Sequence, residues 1–218
     1  AIAGKINIIP ETQAKLEIEK SLKWVKKLPF GDGFPQEHLR VADGKAAENP
    51  DGSIGDMGFF PSCMITINEA YPEFNDILNP IISSMNWQKL YNENEGLLYG
   101  CYKIKNDKIL GEASARILAS DQRLAIFLAI ASGQVPSELW QKMPRNYLQR
   151  YGIEYLKPGE ALGFGEQTWS LGYFLDERTS EIGKSNADLA WAQMHYAIDM
   201  GYPVWGWSNC LSTERYMG

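Results

Sequence analysis

Carboxylates and aromatic rings meet at a handful of junctions in this sequence, and they suggest a particular chemistry. Asp121 and Arg123 stand at Ala119–Arg123, just ahead of a strongly apolar run. Glu166 and Trp169 lie in Gly163–Trp169, an acid among glycines and aromatics that allow close approach to a ligand. Tyr173, Glu177 and Arg178 follow, with Asp176 and Glu181 concentrating charge beside them, while Trp205 and Trp207 form a dense aromatic pair after Tyr202 and Pro203. Asp56 opens a separate apolar run. Such equipment suits cleavage of glycosidic bonds. One carboxylic acid must protonate the leaving oxygen while a second carboxylate acts as base or nucleophile. Aromatic faces with polar tips suit sugar rings.

Each residue also has a structural reading. Asp121 and Asp56 could cap helices. Glu166 could be a solvent-exposed loop acid, and Asp176, Glu177, Arg178 and Glu181 could form a surface salt-bridge network. Arg123 could be a surface cation, and Trp205 and Trp207 could plug a helical core.

Other chemistries lack their usual markers. The sequence contains no P-loop, GxGxxG, HExxH or GxSxG string. Cys63, Cys101 and Cys210 are too few and too scattered for a disulfide framework or a zinc cluster, and His38 and His195 are the only histidines, so no metal or other cofactor is expected. The net charge of −6, with no basic stripe, argues against nucleic acid as a partner. The longest apolar patch, Leu124–Ala131, is far shorter than the ~18 residues needed for a membrane span.

The elements that must position these residues follow from periodicity. Pro10 and Glu11 suit a helix start, and Ala14, Ile18, Leu22 and Val25 then mark one apolar face. Pro29–Pro35 predicts a break in regular structure, and Asp43–Gly55 a polar loop. Met57–Ile67 and a helix carrying Phe74, Ile77, Leu78, Ile81, Ile82 and Met85 should pack as a hairpin joined by Ala70–Pro72. Short alternating runs between Leu97 and Leu110 predict a β-hairpin around Asn106 and Asp107. Helix returns from about Ser120, with Gly133 as its C-terminal cap, and Pro136–Glu138 starts another. Gly152–Ser180 has no persistent period. A last helix should run from Ser185 as N-cap to Met200, with Asp188 at its third position, Gly201 as its stop, and Ala187, Ala190, Trp191, Met194 and Ile198 buried. Helical hairpins separated by long aromatic loops point to a mainly α solenoid or toroid with its loops at one mouth, although no fixed-period repeat is visible.

Three ordered strings carry a more specific likeness. Ala119–Pro136, Leu175–Gly183 and Gly201–Ser208, with support from Gly55–Gly58 and Met85–Gln88, resemble the glycoamylase-like domain family over most of the chain. The resemblance implies an (α/α)6 toroid, with endo-β-1,2-glucanases and the transglycosylation domain of cyclic β-1,2-glucan synthases among its relatives, and chemistry without a metal. It places the family's acid on Asp121, where relatives more often have glutamate, one methylene longer. Counting back from Asp176–Arg178, the family's second glutamate lands near Thr168, leaving Glu166 or Glu177 as the partner carboxylate. Asp56, Arg123, Trp169, Tyr173, Arg178, Trp205 and Trp207 then become substrate contacts. The expected partner is an oligo- or polysaccharide, a β-glucan or related exopolysaccharide, met in the periplasm or after secretion. The alternative is a non-catalytic glycan-binding or scaffold module on the same fold. A twelve-helix toroid needs about 250 residues. The 218 here are therefore expected to form a single toroid domain truncated or shortened at both ends, its exposed apolar faces covered by a protein partner or a missing segment.

Overall fold

The computed structural model describes residues 1–40, 43, 51–158, 181–205, 210–211 and 216–217. Helix accounts for nearly half of these residues, and the strands form sheets of only two or three. The fold is mainly α, as the periodicity predicts. The chain divides into two compact units, Ala1–Ala115 with Ala125–Trp140, and Arg116–Leu124 with Gln141–Gly218.

The first unit opens with a single helical turn, α1 (Ile2–Lys5), and then α2 (Glu11–Val25), preceded by Pro10. A proline costs nothing there, because the first backbone N–H groups of a helix have no internal acceptor. Ala14, Ile18 and Leu22 are buried, as their spacing requires, against Met64, Tyr71, Phe74 and Leu78. Those partners come from α3 (Ile54–Ala70), a 3-10 turn at Pro72–Phe74, and α4 (Asn75–Ser84), so the expected helical hairpin forms.

Between α2 and α3 the structure departs from the expected break. Phe30–Gly31 (β1) and Phe34–Pro35 (β2) pair antiparallel around Asp32 and Gly33, whose φ angles are +48° and +87°. Two residues with positive φ make the turn whose twist matches paired strands, and Asp-Gly is a favoured sequence for it. The prolines concealed that signal. Asp51–Ser53 (β3) likewise replaces the end of the expected loop. It pairs with Cys101–Lys105 (β6), which pairs with Lys108–Gly111 (β7) across Asn106 and Asp107. Tyr91–Asn92 (β4) and Leu97–Leu98 (β5) make a further small pair.

The helix cap at α3 is Ser53, whose Oγ accepts from the Gly55 N–H at 3.2 Å. Asp56 sits in the first turn instead of at the cap, so its carboxylate is not tied to that role. Replacing Ser53 with alanine should cost about 1 kcal/mol, measured as a lowered urea midpoint at unchanged slope.

The helix predicted from Ser120 is α5 (Gln122–Ala131), with Gly133 at φ +72° just beyond it, and Leu139–Lys142 forms α6. In the second unit, Tyr147–Arg150 (β8) and Ile153–Leu156 (β9) pair around Tyr151 and Gly152. They precede α7 (Glu181–Asp199), the longest helix among the described residues. Three expectations fail on α7. Ser185 does not cap it but lies one turn inside, buried, with its Oγ accepting from the Leu156 N–H at 2.7 Å. Asp188 pairs with Lys184 rather than completing a cap. That bond to β9 also selects the face turned inward, so Ile182, Leu189, Ala192 and Ala197 are buried while Ala187, Trp191 and Ile198 are exposed. No helix among the described residues is long and apolar enough to cross a membrane.

Candidate functional site

In the second unit, the turn before α5 carries the first candidate acid. Ser120 is buried, donates its hydroxyl to the Ile117 carbonyl at 2.8 Å and accepts from the Gln122 N–H at 3.3 Å. Gln122 reaches back so that its Oε1 accepts from the Ile117 N–H at 3.3 Å. Ser120 thus accepts from the first backbone N–H of α5 while Gln122 ties the turn back to Ile117, and Asp121 between them is half-buried. Arg123 is wholly buried, which excludes the surface cation that the sequence also allowed. The residues just upstream, Arg116–Ala119, line one side of a cleft of about 230 Å³ whose other wall includes Asn146, Leu156 and Lys157.

Trp205 is 55% exposed, an open ring and not a core plug. Glu166, Trp169, Tyr173, Glu177, Arg178 and Trp207 lie outside the described residues. On α7, the His195 ring is stacked between Tyr151 and Trp191, with centroids 5.6 and 5.7 Å away, on a surface where both flanking rings are exposed. Among the described residues, no three His, Cys, Asp or Glu side chains are grouped to hold a metal ion.

The first unit brings together a cluster that sequence reasoning missed. Glu37 follows directly on the β1–β2 hairpin, and its Oε2 accepts from the Ser53 N–H at the start of α3. Asp56, on the first turn of that helix, is close enough for its charge to act on the Glu37 carboxyl. His38 Nδ1 is 3.6 Å from Glu37 Oε1. Burial, and then the neighbouring Asp56, push the Glu37 carboxyl above its ordinary range, against the opposing pull of the Ser53 N–H. Beneath them, the Tyr102 hydroxyl is buried without a hydrogen-bond partner. Desolvation and the two nearby acids raise its pKa, so it stays a neutral phenol. Gly52 pairs with Tyr102 across β3 and β6, and a side chain at Gly52 would run into the phenol ring. Asp56 was a candidate from sequence. The Asp32-Gly33 turn flanked by apolar residues was the one signal that could have directed attention to the strand end bearing Glu37.

Solved structures supply the comparison. A provisionally assigned glucoamylase from Bacteroides fragilis superposes with a TM-score of 0.74 at 14% identity, over 98% of this chain and 58% of its own. The endo-β-1,2-glucanase of Chitinophaga pinensis, solved with sophorotriose and glucose, gives 0.71 at 16% identity, over 99% and 59%. The endo-β-1,2-glucanase of Talaromyces funiculosus, solved with sophorose, gives 0.59 at 12%, over 89% and 47%. The chain has their fold. It spans roughly half to three fifths of their length. No protein-family model and no curated sequence matches it. The likeness first carried by three strings is thus established at the level of fold.

Proposed function

We propose that the chain belongs to a carbohydrate-active enzyme that cleaves or transfers the glycosidic bonds of a β-glucan or related exopolysaccharide. It would be built on the (α/α)6 toroid that the resemblance implies and act in the periplasm or outside the cell. The observation that carries this reading is the shared fold with an endo-β-1,2-glucanase bound to sophorotriose, over 99% of the chain. Asp121 is the acid that protonates the leaving oxygen, and Glu166 or Glu177 supplies the partner carboxylate. Support for Asp121 comes from its half-buried place at a helix start where the Ser120 hydroxyl accepts from the Gln122 N–H. Arg178, Trp169, Tyr173, Trp205 and Trp207 contact the sugars, with the buried Arg123 beside Asp121 in the chain.

Asp121 also motivates a second reading. An acid one methylene shorter than that of most relatives suits a module that binds glycan without turning it over.

Product analysis on linear β-1,2-, β-1,3- and β-1,4-glucans separates the two. Cleavage or transfer confined to the β-1,2-linked polymer is the expected result. Binding without product through a long incubation selects the scaffold reading, and an unchanged tryptophan fluorescence with every glucan removes both.

A further inference from the structure

We infer that the cleft between Arg116–Ala119 and the open end of the β8–β9 hairpin is a subsite for a sugar ring that carries an oxyanion, either a carboxylate or a phosphate ester. That this ring belongs to a larger glycan rests on the reading above, whereas the subsite itself rests on the cleft.

Both walls are pinned, and both lie in the second unit. On one side, the Ile117 carbonyl accepts from the buried Ser120 hydroxyl at 2.8 Å, and the Ile117 N–H donates to Gln122 Oε1 at 3.3 Å. On the other side, the Lys157 N–H donates to the Asn146 carbonyl at 2.7 Å, and the preceding Leu156 N–H donates to the buried Ser185 of α7 at 2.7 Å. Arg145 stands between the lining residues Pro144 and Asn146. Its Nη1 donates to the Met143 carbonyl at 2.8 Å and its Nε to Glu181 at 3.2 Å, with the Tyr147 hydroxyl on the other oxygen of that carboxylate. The cleft is therefore preformed, as ligand sites usually are.

Size and chemistry select the occupant. Pockets for drug-sized ligands run about 300–1,000 Å³. This one holds about 230 Å³, room for a single ring and its substituent but not for a run of polymer. Leu118 and Leu156, both buried, and Pro144 and Pro158 give it apolar wall. Its polar side is lopsided. Arg116 and Lys157 are exposed cations, no acid occurs among the described residues of the lining, and the Asn146 amide is the one side-chain acceptor there. A neutral sugar presents hydroxyls that donate as well as accept, so a site built for it needs acceptors. Two cations instead match a group that only accepts. The Arg116 guanidinium has five N–H donors in a planar fork, enough to hold two oxygens of a carboxylate or phosphate while also serving a protein partner. Lys157 adds a point charge that suits either oxyanion. Along the chain, Arg116–Ala119 leads straight into the turn bearing Asp121, so the subsite adjoins the proposed acid in sequence.

The test is an amide-resonance titration of the chain with glucose, glucuronate, glucose 6-phosphate and inorganic phosphate at low ionic strength. At least one anionic sugar should shift the Ile117, Leu118 and Lys157 amides with a Kd about tenfold or more below that of glucose, and the tighter of the two names the oxyanion. Salt at about 1 M, where charges are screened beyond about 3 Å, should erase the preference. Arg116→Gln and Lys157→Gln should each weaken the anionic sugars about tenfold and leave glucose unchanged, and Arg116→Lys should recover only part of the loss. Thermal melts of these variants should stay near the parent, because both side chains are exposed. Equal Kd values for glucose and both anionic sugars overturn the subsite. Inorganic phosphate binding as tightly as the anionic sugars overturns the sugar ring as its occupant. If anionic sugars bind here while no glucan is cleaved, the enzymatic reading fails by itself. Cleavage of neutral β-1,2-glucan with no preference for the anionic sugars sinks the subsite alone.

Discussion

Asp121→Asn should lower cleavage of β-1,2-glucan by about 10²- to 10⁴-fold, the range that positioned proton transfer supplies, while the melting temperature stays nearly unchanged. Asparagine keeps the size and polarity of aspartate but has no acidic proton to give the leaving oxygen. Stability should survive because the Ser120 hydroxyl accepts from the Gln122 N–H at the start of α5. Asp121→Glu belongs in the same experiment. It lengthens the side chain by one methylene, to the glutamate that the family resemblance implies, and should retain or raise activity if the group works as an acid. Reducing-sugar release, read beside a thermal melt, checks both variants. Unaltered activity in Asp121→Asn removes this residue from the mechanism, and a collapse of the melt assigns it a structural task.

How much of this was legible in the sequence depends on where each element finds its partner. Ala14, Ile18 and Leu22 repeat on one helical face, and nothing beyond the helix's own geometry was needed to know that this face is buried. Asn106 and Asp107 declared their turn by composition in the same way. Helix α7 was different, because it carries two stripes that could be buried. Ala187, Trp191 and Ile198 form the more apolar one, yet Ser185, Leu189 and Ala192 face inward. The choice is made by β9, through the bond from the Leu156 N–H to a serine 29 residues away. Periodicity registers a stripe but not the strand that selects it. The candidate site divides along the same line. Asp121 announced itself by standing at a helix start, a local property. Glu37 did not, because its cluster exists only once β3 pairs with β6 and brings residues near 53 beside Tyr102.

That cluster depends in turn on one glycine, and Gly33→Ala should be the most destabilising of the small substitutions considered. Gly33 has a φ of +87°, in the left-handed half of backbone space where a Cβ meets the following carbonyl. Its own surroundings add a second penalty. An added Cβ would lie 2.0 Å from the Ser84 carbonyl oxygen and 2.7 Å from the Met85 Cα, and both atoms are backbone that cannot swing aside like the end of a side chain. The Asp32 that precedes it locks the turn from three directions. Its N–H donates to the Asp107 carbonyl at 3.0 Å, its carbonyl accepts from the Asn86 N–H at 3.0 Å, and its Oδ2 accepts from the Ile109 N–H at 2.8 Å. The hairpin therefore cannot relieve the clash by lifting away without releasing those bonds. Left-handed strain of about 1–2 kcal/mol and overpacking of about 1–3 kcal/mol together predict a loss of about 3 kcal/mol or more. For a chain of this size, that lowers the melting temperature by about 6–12 °C. Because Glu37 leaves the same hairpin, the Glu37 titration should fall toward its ordinary value in this variant even at temperatures where it remains folded. A Gly33→Ala protein that melts like the parent would show that the turn is not held against Ser84, and would remove the anchor from which Glu37 is positioned.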